Sequence, residues 1–249
     1  MSIHLLNCFT CDARWPSSLK TGMACLLVDT DRGPILVDTG LGLGEYAGPT
    51  WMAHLFRVIT VMPFDEGEAA VHQIRQLGYK PEDIQHILLT HMHFDHCSGL
   101  ADFPNAKVHV HRREYEAFTD GRIGQWTEFA YFPRYIAHQP EFVLYDQVDS
   151  RWYDFDAIRL PFEPEMYFIP LFGHSRGLCG VAIKAKTGWV FQASDSGAVY
   201  DSNTPKWLIR LVLGPHDPML RAFKQSHPEV LFINSHMFPE FFSQHAVIG

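Results

Sequence analysis

One hexapeptide constrains this chain more than any other stretch: His91-Met92-His93-Phe94-Asp95-His96. It follows Ile87-Leu88-Leu89-Thr90, an apolar run that reads as a buried strand, so four side chains able to ligate a metal fall where that strand ends. On an extended segment residues two apart share a face, which places His91, His93 and Asp95 on one side. A turn after the strand swings His96 toward them. Imidazole together with carboxylate suits a borderline divalent metal such as zinc. Four ligands from one segment, joined by distant ones, exceed a single tetrahedral site, so the expectation is two adjacent metals. In a chain with fifteen histidines some clustering is expected. A lone His-x-His is more often a strand or surface pair, but the full string is far rarer by chance.

At 249 residues, 47% hydrophobic and 19% charged, with no repeat or linker, the chain is expected to form one continuous domain over 1–249 around a sizeable core. A net formal charge of −8 argues against a nucleic-acid partner, which clustered Lys and Arg would have to hold. The opening Met1-Ser2-Ile3-His4-Leu5-Leu6 lacks the features of a signal peptide, and no apolar window has the length of a membrane span. The expectation is a cytoplasmic protein without stable membrane insertion. Five scattered cysteines, at 8, 11, 25, 97 and 179, fit a reducing compartment. Cys8 and Cys11 read as buried packing rather than a redox or zinc pair.

Strands are expected over 3–9, 24–29 and 35–37, the last leading into Asp38-Thr39-Gly40. The stretch 41–65 is too long for an ordinary connection and strongly apolar, so it reads as a functional loop with short helical turns. Its apolar face is expected to cover the site, to pack a second subunit as a homodimer, or to touch a membrane surface, in that order. A helix is expected over 66–77 with Gly78 as its C-cap, then strands at 84–89 and 108–110 and a helix over 112–118. The aromatic stretch 121–142 either fills core or lines a pocket. The rest reads as β-rich to 191, then loop, a helix near 219–225 and a last strand at 230–233. This pattern predicts an α/β fold of two mixed β-sheets packed face to face with helices outside.

Three later positions share the context of the hexapeptide, a metal-type side chain just past an apolar run: Gly173-His174-Ser175, Asp195-Ser196-Gly197 and Ser235-His236. Strand ends along one rim are where groups distant in sequence are gathered.

Through these motifs, with Val37-Asp38-Thr39-Gly40, the chain resembles the metallo-β-lactamase fold superfamily over nearly its whole length. The resemblance implies an αβ/βα four-layer sandwich with a two-metal site at one edge. It implies a first ion on His91, His93 and His174, a second on Asp95, His96 and His236, Asp195 and a hydroxide bridging the two, and Asp38 orienting a ligand. A carboxylate at Asp195 is unusual for true β-lactamases. Glyoxalase II-type thioesterases share the ligands but add a helical extension, whereas thirteen residues follow His236. Transfer-RNA-processing members carry a basic surface, at odds with the charge. The chain is most similar to N-acyl homoserine lactone lactonases, also through Leu77-Gly78-Tyr79-Lys80-Pro81-Glu82-Asp83-Ile84 and Glu114-Tyr115-Glu116-Ala117. It departs from them at Ala198, where those enzymes place a substrate-contacting tyrosine (Tyr200 lies nearby), at Arg176, and at Leu171-Phe172 before Gly173.

The implied activity is opening of a hydrophobic lactone or cleavage of an ester by a hydroxide held between two divalent ions, with Asp95 as proton shuttle and Asp195 as catalytic bridge. The apolar stretches 41–65 and 121–142 are expected to hold an acyl chain. The alternatives are a thioesterase, phosphodiesterase or organophosphate hydrolase on the same site, an iron redox protein, and a non-catalytic metal-binding scaffold.

Overall fold

The structure is a computed structural model that describes residues 2–13, 19–121, 124–197 and 205–249. The chain opens with β1 (Ile3–Ala13), β2 (Leu19–Val28) and β3 (Ile35–Val37), then the helices α1 (Leu43–Ala47), α2 (Trp51–Ile59) and α3 (Ala70–Gln76). β4 (His86–Leu88), the single turn α4 (Phe94–Cys97), β5 (Lys107–His111), α5 (Arg112–Thr119) and β6 (Phe142–Tyr145) follow. The second half runs β7 (Ser150–Trp152), β8 (Phe155–Arg159), β9 (Met166–Pro170), β10 (Cys179–Ala185), β11 (Gly188–Gln192), α6 (Lys206–Leu213), α7 (Asp217–Ser226) and β12 (Leu231–Ile233). It closes with β13 (His236–Met237), α8 (Pro239–Gln244) and β14 (Val247–Ile248).

Among the described residues these strands form two sheets, one ordered β14-β1-β2-β3-β4-β5-β6 with β13 alongside β2, the other β12-β11-β10-β9-β8-β7. Both are mixed: β3 through β6 pair in parallel within an otherwise antiparallel first sheet, and β12 is parallel to β11 in an otherwise antiparallel second. The alternation of side chains along each strand divides the interior into layers. On β2, Ala24, Leu26 and Val28 face the second sheet, while Met23, Cys25 and Leu27 face the helices outside the first. On β9, Met166 and Phe168 meet the first sheet, while Tyr167 and Ile169 turn outward toward Phe223 of α7. Helices therefore flank two facing sheets, the expected sandwich, and strands buried on both faces are apolar almost throughout. Each large apolar side chain sequestered this way contributes about 1.5–3 kcal/mol.

Two elements differ from the sequence reading. The expected helix over 66–77 is broken into a 3-10 turn, Glu66–Glu68, and α3, with Ala69 extended between them (ψ 136). The cause is tertiary. The Glu68 carboxylate accepts from the Thr10 amide (2.7 Å) and hydroxyl (2.5 Å), at a bulge in β1 between Asn7 and Thr10. The segment before α7, read as loop, contains α6. Its sequence Lys-Trp-Leu-Ile-Arg-Leu-Val-Leu does place Lys206 and Arg210 on one exposed side, but Trp207 and Leu211 share that side and make the stretch read as a continuous apolar run. The long apolar stretch after Gly40 does carry short helices as expected, α1 and α2.

On β5, His109 is buried, with Nε2 3.0 Å from His86 Nδ1 and Nδ1 2.9 Å from the Tyr145 hydroxyl. Burial, then His86, push its pKa down to about 3, and burial, then Arg113, push that of His111 down to about 4. Both imidazoles stay neutral in the native state while the unfolded chain takes up their protons near pH 6.5. Their contribution is therefore complete above that pH and is lost as pH falls through the window below it. We expect the urea midpoint to drop between pH 7 and 4.5, and His109→Gln to flatten that fall; an unchanged slope would exclude the effect.

Candidate metal centre

Most groups at the site hang from the end of a strand. Asp38 follows β3, Thr90 and His91 follow β4, His174 follows β9, Asp195 follows β11, and His236 begins β13 just after β12. Two turns are in left-handed backbone, Asp38 (φ 56) and Ser194 (φ 53), a conformation that costs on the order of 1–3 kcal/mol for a non-glycine residue. The chain turns into α4 at Phe94, so Asp95 and His96 both reach the site from a helical turn rather than from an extended strand.

The seven side chains expected at the site converge. His93 Nδ1 lies 3.1 Å from His91 Nε2 and 3.0 Å from His174 Nε2. Asp195 Oδ2 is 3.4 Å from His174 Nε2, 3.5 Å from His96 Nε2 and 3.9 Å from His91 Nε2. His236 Nε2 is 3.8 Å from both Asp95 Oδ2 and Asp195 Oδ1, and His96 Nε2 is 3.9 Å from Asp95 Oδ2. Three triads have donor atoms close enough to share an ion: His91 with His93 and His174, His91 with His96 and Asp195, and Asp95 with Asp195 and His236.

The donor set fits divalent ions. Ligands on tetrahedral zinc stand about 3.3 Å apart at ordinary bond lengths, close to the spacing within the first triad. Two inward atoms, His96 Nε2 and Asp195 Oδ1, are buried without any hydrogen-bond partner, a costly state unless a cation satisfies them.

Outer partners fix which nitrogen points inward. His96 Nδ1 donates to Asp38 Oδ2 at 2.9 Å, and Asp38 also accepts from the Thr90 amide and hydroxyl at 2.8 Å each. His174 Nδ1 donates to the Val212 carbonyl at 2.6 Å. These bonds leave the Nε2 lone pairs of both rings facing the cage.

The electrostatics follow from burial and crowding. Burial, reinforced by neighbouring imidazoles, holds His91 and His93 well below the ordinary histidine range, ready to ligate without losing a proton. Burial also opposes charge on His96, but Asp38, Asp95 and Asp195 prevail and raise it. Asp195 is held well below the carboxylate range because His96, His236 and His174 outweigh its burial. Asp95 is raised, mainly by burial, with Asp195 adding to it against His96 and His236.

Several contributors gave no sequence signal of their role. Glu114 of α5, fully buried, accepts from the Met92 amide (2.9 Å), the Tyr131 hydroxyl (2.8 Å), the Ser175 hydroxyl (2.7 Å) and the Gly177 amide (2.9 Å). It thereby ties the hexapeptide to the His174 turn. Glu128 accepts from Arg176 and from the Gly124 amide, and Thr127 donates to the His174 carbonyl at 2.7 Å. The stretch 124–136 is thus pinned against the site, with Tyr131 packed 5.3 Å from the His93 ring and Tyr135 in the core. Cys8 and Cys11 are buried free thiols, the packing role expected of them. Ala198 and Tyr200 lie outside the described residues.

A cleft of about 490 Å³ opens over the cage. His93, Asp95, His174, Asp195 and His236 form its floor, and Met52, Phe56, Phe129 and Leu213 stand in its walls. The two apolar stretches of the sequence both reach it. Among the described residues lining it there is no Lys or Arg.

The family model described as the metallo-beta-lactamase superfamily matches residues 23–187. A "Probable metallo-hydrolase" of Mycobacterium tuberculosis is 34% identical over 210 residues, 79% of this chain and 62% of that protein, so the chain spans less than two thirds of that relative's length. An N-acyl homoserine lactonase of Bacillus cereus is 37% identical over 94 residues, covering 37% of this chain and 38% of the lactonase. Among solved structures, a B. thuringiensis AiiA mutant with N-decanoyl-L-homoserine bound at the active site superposes with a TM-score of 0.69 at 20% identity, covering 98% of this chain and 95% of that one.

Proposed function

Because the chain belongs to the metallo-beta-lactamase superfamily, we propose that it is a metal-dependent hydrolase that opens a lactone or cleaves a carboxylic ester bearing an apolar acyl chain. The observation that carries this reading is the placement of an apolar cleft directly over the His/Asp cage. Two divalent ions, zinc by the character of the donors, would be held by His91, His93 and His174 and by Asp95, His96 and His236 with Asp195 shared, and would supply the Lewis acidity that makes water nucleophilic and a carbonyl electrophilic.

The protein's own groups do the rest. Asp195 stays anionic among the imidazoles and holds the two halves of the cage together. Asp95, raised by burial, stands at the cleft floor beside His236 and His96, where its Oδ2 can take a proton and return it to the departing oxygen. Met52, Phe56 and Leu213 exclude water from around an acyl chain. The lactonase among the relatives and the acyl-homoserine in the AiiA mutant structure support a lactone as the electrophile. A phosphodiester is less favoured, since among the described residues the cleft offers its charge no Lys or Arg.

A panel of acyl lactones, carboxylic esters, thioesters and phosphodiesters tests the reading. We expect kcat/KM to be highest on lactones or esters and to rise with acyl length to about eight or ten carbons, each buried methylene adding about 0.8 kcal/mol. Fastest turnover on a phosphodiester, or no dependence on chain length, would overturn it.

A further inference from the structure

Two helices bracket the mouth of the cleft and both turn apolar side chains outward. On α2, Trp51 is 58% exposed, Val58 64% and Ile59 55%; on α6, Trp207 is 68% exposed. The inner faces of the same helices supply Met52, Phe56 and Leu213 to the cleft, so the exposed surface runs on into the cavity. Neither helix carries an acid. Their charged or titratable residues are His54 and Arg57 on α2 and Lys206 and Arg210 on α6, in a chain whose net formal charge is −8. Tryptophan and aliphatic side chains interleaved with cations make up the composition of helices that lie in a headgroup plane, where an indole keeps one end apolar and the other wet. No helix among the described residues is long and apolar enough to cross a membrane, so any such contact is peripheral.

We propose that this face docks on an anionic lipid bilayer, with α2 and α6 lying in the headgroup layer, so that an acyl-bearing substrate enters the cleft from the lipid. Charge selects this occupant over a second copy of the chain. An interface between two copies of this face would gather Arg57, Lys206 and Arg210 from both, with no acid on either helix to pair them. An anionic headgroup plane neutralises all of them. Docking stands on the surface alone; entry of substrate from lipid rests on the hydrolase reading.

The test is co-sedimentation of the metal-loaded full chain with vesicles of phosphatidylglycerol or of phosphatidylcholine. We expect phosphatidylglycerol vesicles to retain the protein at least tenfold better, and high salt to weaken retention. Lys206→Glu with Arg210→Glu should reduce it by roughly fivefold for each cation lost. Val58→Asp with Ile59→Asp should abolish it, with circular dichroism confirming the fold and hydrolysis of a soluble short-chain ester unchanged within about twofold, these residues lying outside the cleft. Failure to pellet with phosphatidylglycerol, or equal retention by both lipids, overturns the proposal. So does a dimer in sedimentation velocity that Val58→Asp with Ile59→Asp splits into monomers, since the face then belongs to a second copy. Retention on phosphatidylglycerol by a protein that hydrolyses no ester or lactone keeps the docking and removes the hydrolase reading.

Discussion

Asp195→Ala is expected to cost the cage at least one of its two ions and most of its turnover. Asp195 is the one carboxylate common to two of the three ligand triads, as His91 is the one imidazole, and it also lies within 3.4 Å of His174. Without it, His96 and His236 are left facing only the Asp95 carboxylate, and the second triad keeps no acid. We expect elemental analysis to find close to two divalent ions in the unmodified protein and at most one in Asp195→Ala. Loss of several kcal/mol of Lewis-acid stabilisation corresponds to a fall in kcat/KM of about 10³-fold or more. His93→Ala should behave alike, since His93 Nδ1 is the contact between His91 and His174. A variant at Asp195 that keeps both ions and full activity would show that the carboxylate is not shared between them.

Glu114→Ala should be the most destabilising single change outside the cage. The carboxylate is fully buried and receives four hydrogen bonds, two from backbone amides and two from hydroxyls. Its removal strands these donors away from water, at a cost of about 1–3 kcal/mol for each that stays unsatisfied. Partial relaxation brings the expected total to about 3–5 kcal/mol, which in a chain of this size lowers Tm by about 10 °C. Because two of the four donors, Met92 and Ser175, adjoin metal-cage residues, affinity for the ions should fall as well, by roughly 10–100-fold. Glu114→Gln, which keeps the volume and one acceptor, should lose less on both counts. A Tm within about 2 °C of the parent would show that the four bonds are replaced by water at little cost.

The contrast between these two residues explains what could be read in advance. His91, His93, Asp95, His96, His174, Asp195 and His236 announce themselves because the side chain and its local setting, the end of an apolar run, carry the signal together. The layered sheets were legible for the same reason, since alternation along a strand such as β2 is a local property. Glu114 sits in Arg-Arg-Glu-Tyr-Glu-Ala-Phe-Thr, which reads as a solvated helix face; only the approach of Tyr131, Ser175 and Gly177 makes it a keystone. Ser194 and Thr90 are equally silent, their hydroxyls meeting at 2.8 Å across more than a hundred residues of chain. The split of the expected helix at Ala69 came from a distant bulge, and α6 passed for an apolar run because Trp207 and Leu211 lie beside Lys206 and Arg210 on its exposed side.

Every group of the cage is borne on a strand end or the turn that follows it, whereas the cleft walls come from α2, the stretch 124–136 and α6. Of the three, only α2 makes none of the hydrogen bonds described above to the cage or its outer partners, so it can be exchanged as a cassette, in directed evolution or by grafting between chains of this architecture, to admit longer, bulkier or more polar acyl groups. In the other two, Thr127, Tyr131 and the Val212 carbonyl must stay, because they hold the His174 turn and Glu114.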